Sequence, residues 1–136
     1  DRTVLQQAAE GIYAEDKIKE VSQERRQRFF RRGEGGTWRV NEAIRRRVVF
    51  RPHDLLRDEY PSGLHLILCR NVVIYFTEAA KDTVFRRFAQ ALAPGGYLMV
   101  GSTESIFTPQ QYGLQPAGSF LYRTLLKNTI DQKDNS

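Results

Sequence analysis

The chain has 136 residues, a net charge of +5, 40% hydrophobic and 27% charged residues, the size and balance of one water-soluble globular domain. Its single cysteine, Cys69, excludes an internal disulfide and suits a reducing, cytoplasmic setting. No apolar run reaches the ~18 residues of a membrane span and no signal peptide opens the chain, so membrane insertion is not expected.

The charge is unevenly spread. Residues 25–51 hold ten arginines against only Glu34 and Glu42, a block whose field would draw an acidic partner. Nucleic acid and a glutamate-rich protein surface both fit, as does a plain solvated face. A nucleic-acid surface would interleave exposed aromatics. Phe29, Phe30 and Trp38 are expected to pack the local structure instead, so nucleic acid is not the expected partner.

In chain order, residues 3–10 carry Val4, Leu5 and Ala8 at helical spacing, and Gly11-Ile12-Tyr13 breaks that helix. Ser22, with Glu24 in the following turn, is a good N-cap for a second helix reaching about Arg31. Gly33-Glu34-Gly35-Gly36 reads as a turn and Thr37-Trp38-Arg39-Val40 as a short strand, together a small β-hairpin. Asn41 caps a short helix through Arg46. Val48-Val49-Phe50 then reads as a strand, stopped by Pro52-His53-Asp54. Leu64-His65-Leu66-Ile67-Leu68-Cys69 is nearly continuously apolar, the pattern of a parallel strand covered on both faces. Residues 77–92 form the strongest helix, capped by Thr77 and burying Val84, Phe85, Phe88, Ala91 and Leu92. Pro94-Gly95-Gly96 turns the chain into a strand at 97–100, and 120–126 forms a last strand. The polar tail 127–136 is expected to lack fixed structure. Strand, helix, turn, strand is the grammar of an α/β sheet.

In such sheets ligands bind at the carboxyl ends of parallel strands. Two stretches stand there: His53-Asp54-Leu55, and Arg70-Asn71-Val72-Val73-Ile74-Tyr75-Phe76. An arginine, an amide and a phenol directly after a buried strand suit a carboxylate and a polar ligand, because arginine presents a rigid donor fork. They suit equally a structural cap on the next helix.

The block Cys69-Arg70-Asn71-Val72-Val73-Ile74-Tyr75-Phe76 resembles the motif of the chemotaxis-receptor methyltransferase (CheR) family. Ala93-Pro94-Gly95-Gly96-Tyr97-Leu98, Gly101-Ser102-Thr103-Glu104-Ser105 and residues 118–123 follow in the family's order. Upstream, Gly11-Ile12-Tyr13, residues 28–33 and residues 50–56 do so as well. Asp54 stands where the family usually has Asn, Ser102 where it often has His, and the loop at Gly35-Gly36 is short for the family.

The resemblance implies an incomplete Rossmann-like sheet over residues 1–126, with a β-subdomain at about 30–42. It implies methyl transfer from S-adenosylmethionine to glutamate side chains of methyl-accepting chemotaxis receptors, leaving S-adenosylhomocysteine. Asp54 and Leu55 would face the adenine, while Arg70 and Asn71 would line the cofactor and transfer cleft. Tyr75 would lie by the transferred methyl, and no metal is implied. Arg31, Arg32 and Arg39 would meet acidic receptor helices. The first two strands, their glycine-rich turn and the ribose-binding acid have no counterpart here, and the chain opens at Asp1 without an initiator methionine. A piece of a longer enzyme, inactive alone and needing its N-terminal half, is therefore expected. The competing expectation is a non-catalytic module that docks on acidic protein through its arginines.

Overall fold

The computed structural model describes residues 2–125, which group into two compact units meeting in sequence at His53 and Asp54. Each is mixed α/β.

In the first unit, helix α1 (Arg2–Glu10) buries no residue and ends at Gly11, whose φ of 66° is open to glycine. The next residues are more than a helix breaker. Ile12–Ala14 forms strand β1. Helix α2 (Gln23–Phe29) starts where Ser22 Oγ accepts the Arg25 N–H at 3.2 Å, and it stops short of Arg31, which lies in β2 (Phe30–Arg32). Strand β3 (Thr37–Val40) pairs antiparallel with both β1 and β2, in the order β1-β3-β2. The β2–β3 turn is closed by the Gly33 N–H donating to Thr37 O at 2.8 Å, and Gly35 and Gly36 supply two consecutive positive φ angles. Helix α3 (Glu42–Arg45) follows Asn41, whose side-chain amide donates to Arg28 O rather than capping the helix.

Residues 48–50 correct the sequence reading: they form no strand, and Val49 is 81% exposed. β-branched composition alone does not make a strand, because the backbone needs a ladder partner. No described residue pairs with this segment.

The second unit holds β4 (Leu64–Cys69), α4 (Glu78–Ala91), β5 (Leu92–Val100), β6 (Leu114–Gly118) and β7 (Leu121–Thr124), in the sheet order β4-β5-β7-β6. The α4 helix connects the parallel pair β4 and β5, while β7 and β6 add antiparallel strands. Thr77 caps α4 by accepting the Ala80 N–H at 3.1 Å. Its stripe of Val84, Phe85, Phe88 and Ala91 is buried, as its spacing predicts, together with Leu92. Val84, Phe85, Phe88 and Leu92 join Cys69, Val73, Leu98, Val100, Ile106, Leu114 and Tyr122 in one core.

Three further details differ from the sequence reading. Pro94-Gly95-Gly96 lies inside β5, where the register with β4 slips between Leu64 and Leu66, so the turn residues make an irregular strand rather than a loop. Phe120 is a turn residue at positive φ before β7; Leu126 and the tail 127–136 lie outside the described residues. The β4 strand is covered on one face only. Ile67 and Cys69 turn toward the core, but Leu66 and Leu68 are 54% and 63% exposed. The strand also ends the sheet order, so its outer edge has no partner among the described residues.

Candidate functional site

The Cys69↔Val100 register makes β4 and β5 end side by side, so Arg70-Asn71 and Gly101-Ser102 leave the sheet as neighbours. Glu104, 4% exposed, binds these two loops together. Its Oε1 accepts the N–H of Asn71 and, at 3.2 Å, that of Gly101; its Oε2 accepts the N–H groups of Val72 and Val73 at 3.2 and 3.0 Å. Four amides around one carboxylate satisfy a buried charge that would otherwise be costly. Successive amides of this kind form an anion-binding concavity, and here the chain's own carboxylate fills it.

Two features of local geometry permit the clamp. Asn71 adopts φ 60°, a left-handed conformation that asparagine tolerates better than most residues. Gly101 has no side chain; a Cβ there would stand 2.7 Å from Glu104 Oε1.

Arg70 projects from this clamped loop. It is exposed and makes no ion pair or side-chain hydrogen bond among the described residues. Tyr75 ends the 3-10 turn Val73–Tyr75 and is 82% exposed, while Val73 of the same turn is buried. Both side chains are therefore free to meet a ligand.

Asp54 and Leu55 are held against the C-terminal part of α4 through Tyr60 and Arg87, whose side chain donates to Leu55 O at 3.3 Å. The Tyr60 hydroxyl donates to Leu55 O at 2.7 Å, and its ring packs on Phe88 with centroids 5.7 Å apart. Burial, and to a lesser degree the neighbouring Cys69 and Asp54, push the Tyr60 pKa up against the lowering effect of Arg87. Leu55 is half-buried against the core. Asp54 partly serves its own turn: Oδ1 accepts the Leu56 N–H at 3.0 Å, and Oδ2 lies 3.9 Å from Arg57 Nε. A cavity of about 370 Å³ is lined by residues 57–62 with Arg87, Gln90 and Ala91. It includes neither Arg70 nor Tyr75.

The remaining sequence candidates, Arg31, Arg32 and Arg39, belong to the other unit. Within the arginine block, roles divide sharply. Arg26 donates to Ile18 O and Val21 O at 2.8 and 3.0 Å, and Arg45 donates to Ala9 O and Glu42, so both are structural. Arg32 lies over the Trp38 ring at 4.9 Å. Arg31 and Arg39 stand directly opposite each other on β2 and β3, exposed and without an acidic partner among the described residues. Like charges so placed repel.

In the sequence Glu104 is one residue of the motif Gly101-Ser102-Thr103-Glu104-Ser105, with nothing local to mark its task. A buried acid is legible only once the β4–β5 register brings residue 104 onto residues 71–73. Among the described residues no group of three or more His, Cys, Asp or Glu side chains is placed to hold a metal, and no helix is long and apolar enough to cross a membrane.

Residues 1–119 match the family described as CheR methyltransferase, SAM binding domain. The chain is similar to the chemotaxis protein methyltransferase of Listeria innocua, 40% identical over 120 residues that cover 88% of this chain and 45% of that protein. It is 37% identical to the Escherichia coli chemotaxis protein methyltransferase over 110 residues, 77% of this chain and 38% of that protein. It is 40% identical to chemotaxis protein methyltransferase 1 of Pseudomonas aeruginosa over 107 residues, 76% of this chain and 39% of that protein. The chain thus spans less than half the length of these curated relatives. With the family match running through both units, the chain belongs to the CheR methyltransferase SAM-binding domain family.

Proposed function

We propose that this chain forms the carboxyl-terminal part of an S-adenosylmethionine-dependent methyltransferase that esterifies glutamate side chains of chemotaxis receptors. The observation that carries this reading is the free Arg70 guanidinium on a clamped loop at the joint carboxyl end of β4 and β5, in a chain of this family.

The donor set suits part of the cofactor. Half-buried Leu55 offers an apolar surface to adenine, and the Asp54 carboxylate offers an acceptor to its amino group. Arg70 supplies a donor fork for a carboxylate, and Asn71 adds a side-chain amide. No acid is assigned to the ribose hydroxyls. When bound, the cofactor supplies a methyl group made electrophilic by the adjoining sulfonium. A glutamate acceptor, with a reference pKa of about 4.3, is already ionised at neutral pH, so the protein needs no strong general base. Its residues act by alignment and by excluding water. Arg70 orients a carboxylate at the cleft, and the exposed Tyr75 hydroxyl positions the acceptor side chain beside the methyl.

Arg31, Arg32 and Arg39 would receive the acidic helices of the receptor, since the cross-strand repulsion of Arg31 and Arg39 is relieved by an anion. The same pair favours the second reading, a non-catalytic module that binds acidic protein. The bare outer edge of β4 and its uncovered leucines support a sheet completed by further polypeptide, namely the N-terminal half of the enzyme.

Calorimetric titration of S-adenosylhomocysteine separates these readings. The chain alone is expected to bind weakly or not at all. Joined to the upstream segment, it is expected to bind in the micromolar range and to lose that binding in Arg70→Ala. Binding of acidic receptor helices with no cofactor binding in either form would establish the non-catalytic module instead.

A further inference from the structure

Glu104 is a buried acid that the proposed chemistry does not use. It touches the backbone of the loop that carries Arg70, not any surface open to a ligand. Its four amide partners divide between the two strand-end loops: Asn71, Val72 and Val73 after β4, and Gly101 after β5. The loop conformation it holds is unusual, with Asn71 at φ 60° and the 3-10 turn Val73–Tyr75 starting immediately beyond. The Glu104 N–H also donates to Gly101 O at 3.0 Å, which fixes the short turn that aims its carboxylate inward.

From this we infer that Glu104 is a positioning residue: its carboxylate sets the direction in which Arg70 and Tyr75 project, and so sets affinity at the cleft. The mechanism is geometric. Three consecutive amides pointing at one carboxylate fix the peptide planes of residues 70–73, and those planes fix the Cα–Cβ directions on either side. By filling the amide concavity, the same carboxylate also keeps an anionic part of any ligand from binding there. Arg70 is thereby left as the cation available to it. A neutral amide cannot reproduce this. In Glu104→Gln one of the two terminal atoms becomes an NH₂ facing N–H donors, so at least one side of the clamp opens. Glu104→Asp retains the charge but withdraws it by one methylene, so it restores part of the clamp.

The inference rests on the cofactor reading above, and its test keeps the two apart. The experiment uses the protein at its full natural length, with S-adenosylhomocysteine as probe and amide proton spectra as a second readout. In the parent protein the amide protons of Asn71 and Val73 should lie far downfield and exchange slowly. Glu104→Gln should move the resonances of residues 70–76 and 101–104 while leaving those of α4 in place. It should weaken S-adenosylhomocysteine binding by 10-fold or more, with Glu104→Asp intermediate. A purely structural role would instead broaden or shift resonances throughout the unit. Should Glu104→Gln not fold, Glu104→Asp carries the test by the same local shifts and an affinity loss of several-fold. A folded variant with displaced loop resonances and parental affinity would overturn the inference. A parent protein that binds no S-adenosylhomocysteine would overturn the cofactor reading, and the inference about cleft affinity with it.

Discussion

Cys69 closes β4 and its thiol is buried, one residue before the free Arg70. Burial first, and the Glu104 charge second, push its pKa up to about 11. An unfolded thiol ionises near 8.5. As pH rises, the unfolded state therefore loses its proton before the folded state does, and folding stability falls. This contribution is fully present below about pH 8.5 and declines from there toward 11. Tyr60 and Tyr112, both shifted upward and Tyr112 to about 12, act with the same sign above pH 10. Thermal melts should thus be flat in this respect up to about pH 8.5 and decline beyond it, and Cys69→Ala should remove the part of the decline between 8.5 and 10. In the folded protein at pH 8 the thiol should react with an aromatic disulfide only as fast as the unit opens. Rapid labelling without denaturant would show that the β4 end is open rather than clamped. Arg31 and Arg39 give a second test at this scale. If their mutual repulsion is relieved by acidic partners, Arg39→Glu should weaken binding to acidic receptor helices about tenfold and flatten its salt dependence. An unchanged salt slope would remove both residues from the interface.

Among the elements, α4 shows how much periodicity can carry. Val84, Phe85, Phe88 and Ala91 repeat at the helical period, and all four are buried. The helix is tied to the chain after β5 by Tyr112, whose hydroxyl donates to Asp82 Oδ1 at 2.8 Å and whose ring packs on Phe85 with centroids 6.0 Å apart. Tyr112→Phe keeps the ring and removes the bond, so it should cost about 1 kcal/mol, read as a lower urea midpoint at unchanged slope. A loss near zero would mean that Asp82 is satisfied by solvent or Arg86. Other elements lacked any local pattern. Ile12-Tyr13-Ala14 is too short to show alternation, and it becomes β1 only because β3 offers a partner. Leu114–Gly118 contains Pro116 and Gly118, which argue against a strand, yet β6 lies at the end of the sheet order where proline is tolerated. The opposite error at 48–50 has the same root. Strand formation depends on a partner remote in sequence, which composition does not report. The candidate site divides along the same line. The place of Arg70 and Asn71 at a strand end is legible because a nearly continuous apolar run stops at Cys69, while their part in a site is given only by the family resemblance. The task of Glu104 is not legible, because it depends on the Cys69↔Val100 register across an intervening helix.

At the scale of the molecule, an unpaired strand edge adjoins an uncovered apolar face. Leu66 and Leu68 on β4 share that face with Tyr97 and Met99 of β5, all at least one-third exposed. Such an edge and face together make a template for association with another chain. Opposing this is the net charge of +5, which makes copies repel. Salt decides between them. At 0.01 M ionic strength the screening length is about 30 Å and repulsion reaches across a domain, whereas at 0.15 M it is about 8 Å and the apolar face dominates at contact. The chain should therefore be monomeric at low salt and self-associate, with binding of a hydrophobic dye, as salt rises. Leu66→Lys with Leu68→Lys should abolish both effects with little change in melting temperature, because neither side chain is buried in this unit. Leu98→Lys, which places a charge at a fully buried position of β5, should instead prevent folding. A strand added at the β4 edge by further polypeptide, as proposed above, should suppress association without any substitution. Persistent salt-driven association in the double lysine variant would move the sticky surface elsewhere, to the exposed 48–50 segment or to Phe107, and would remove the β4 face as the proposed site of association with further polypeptide.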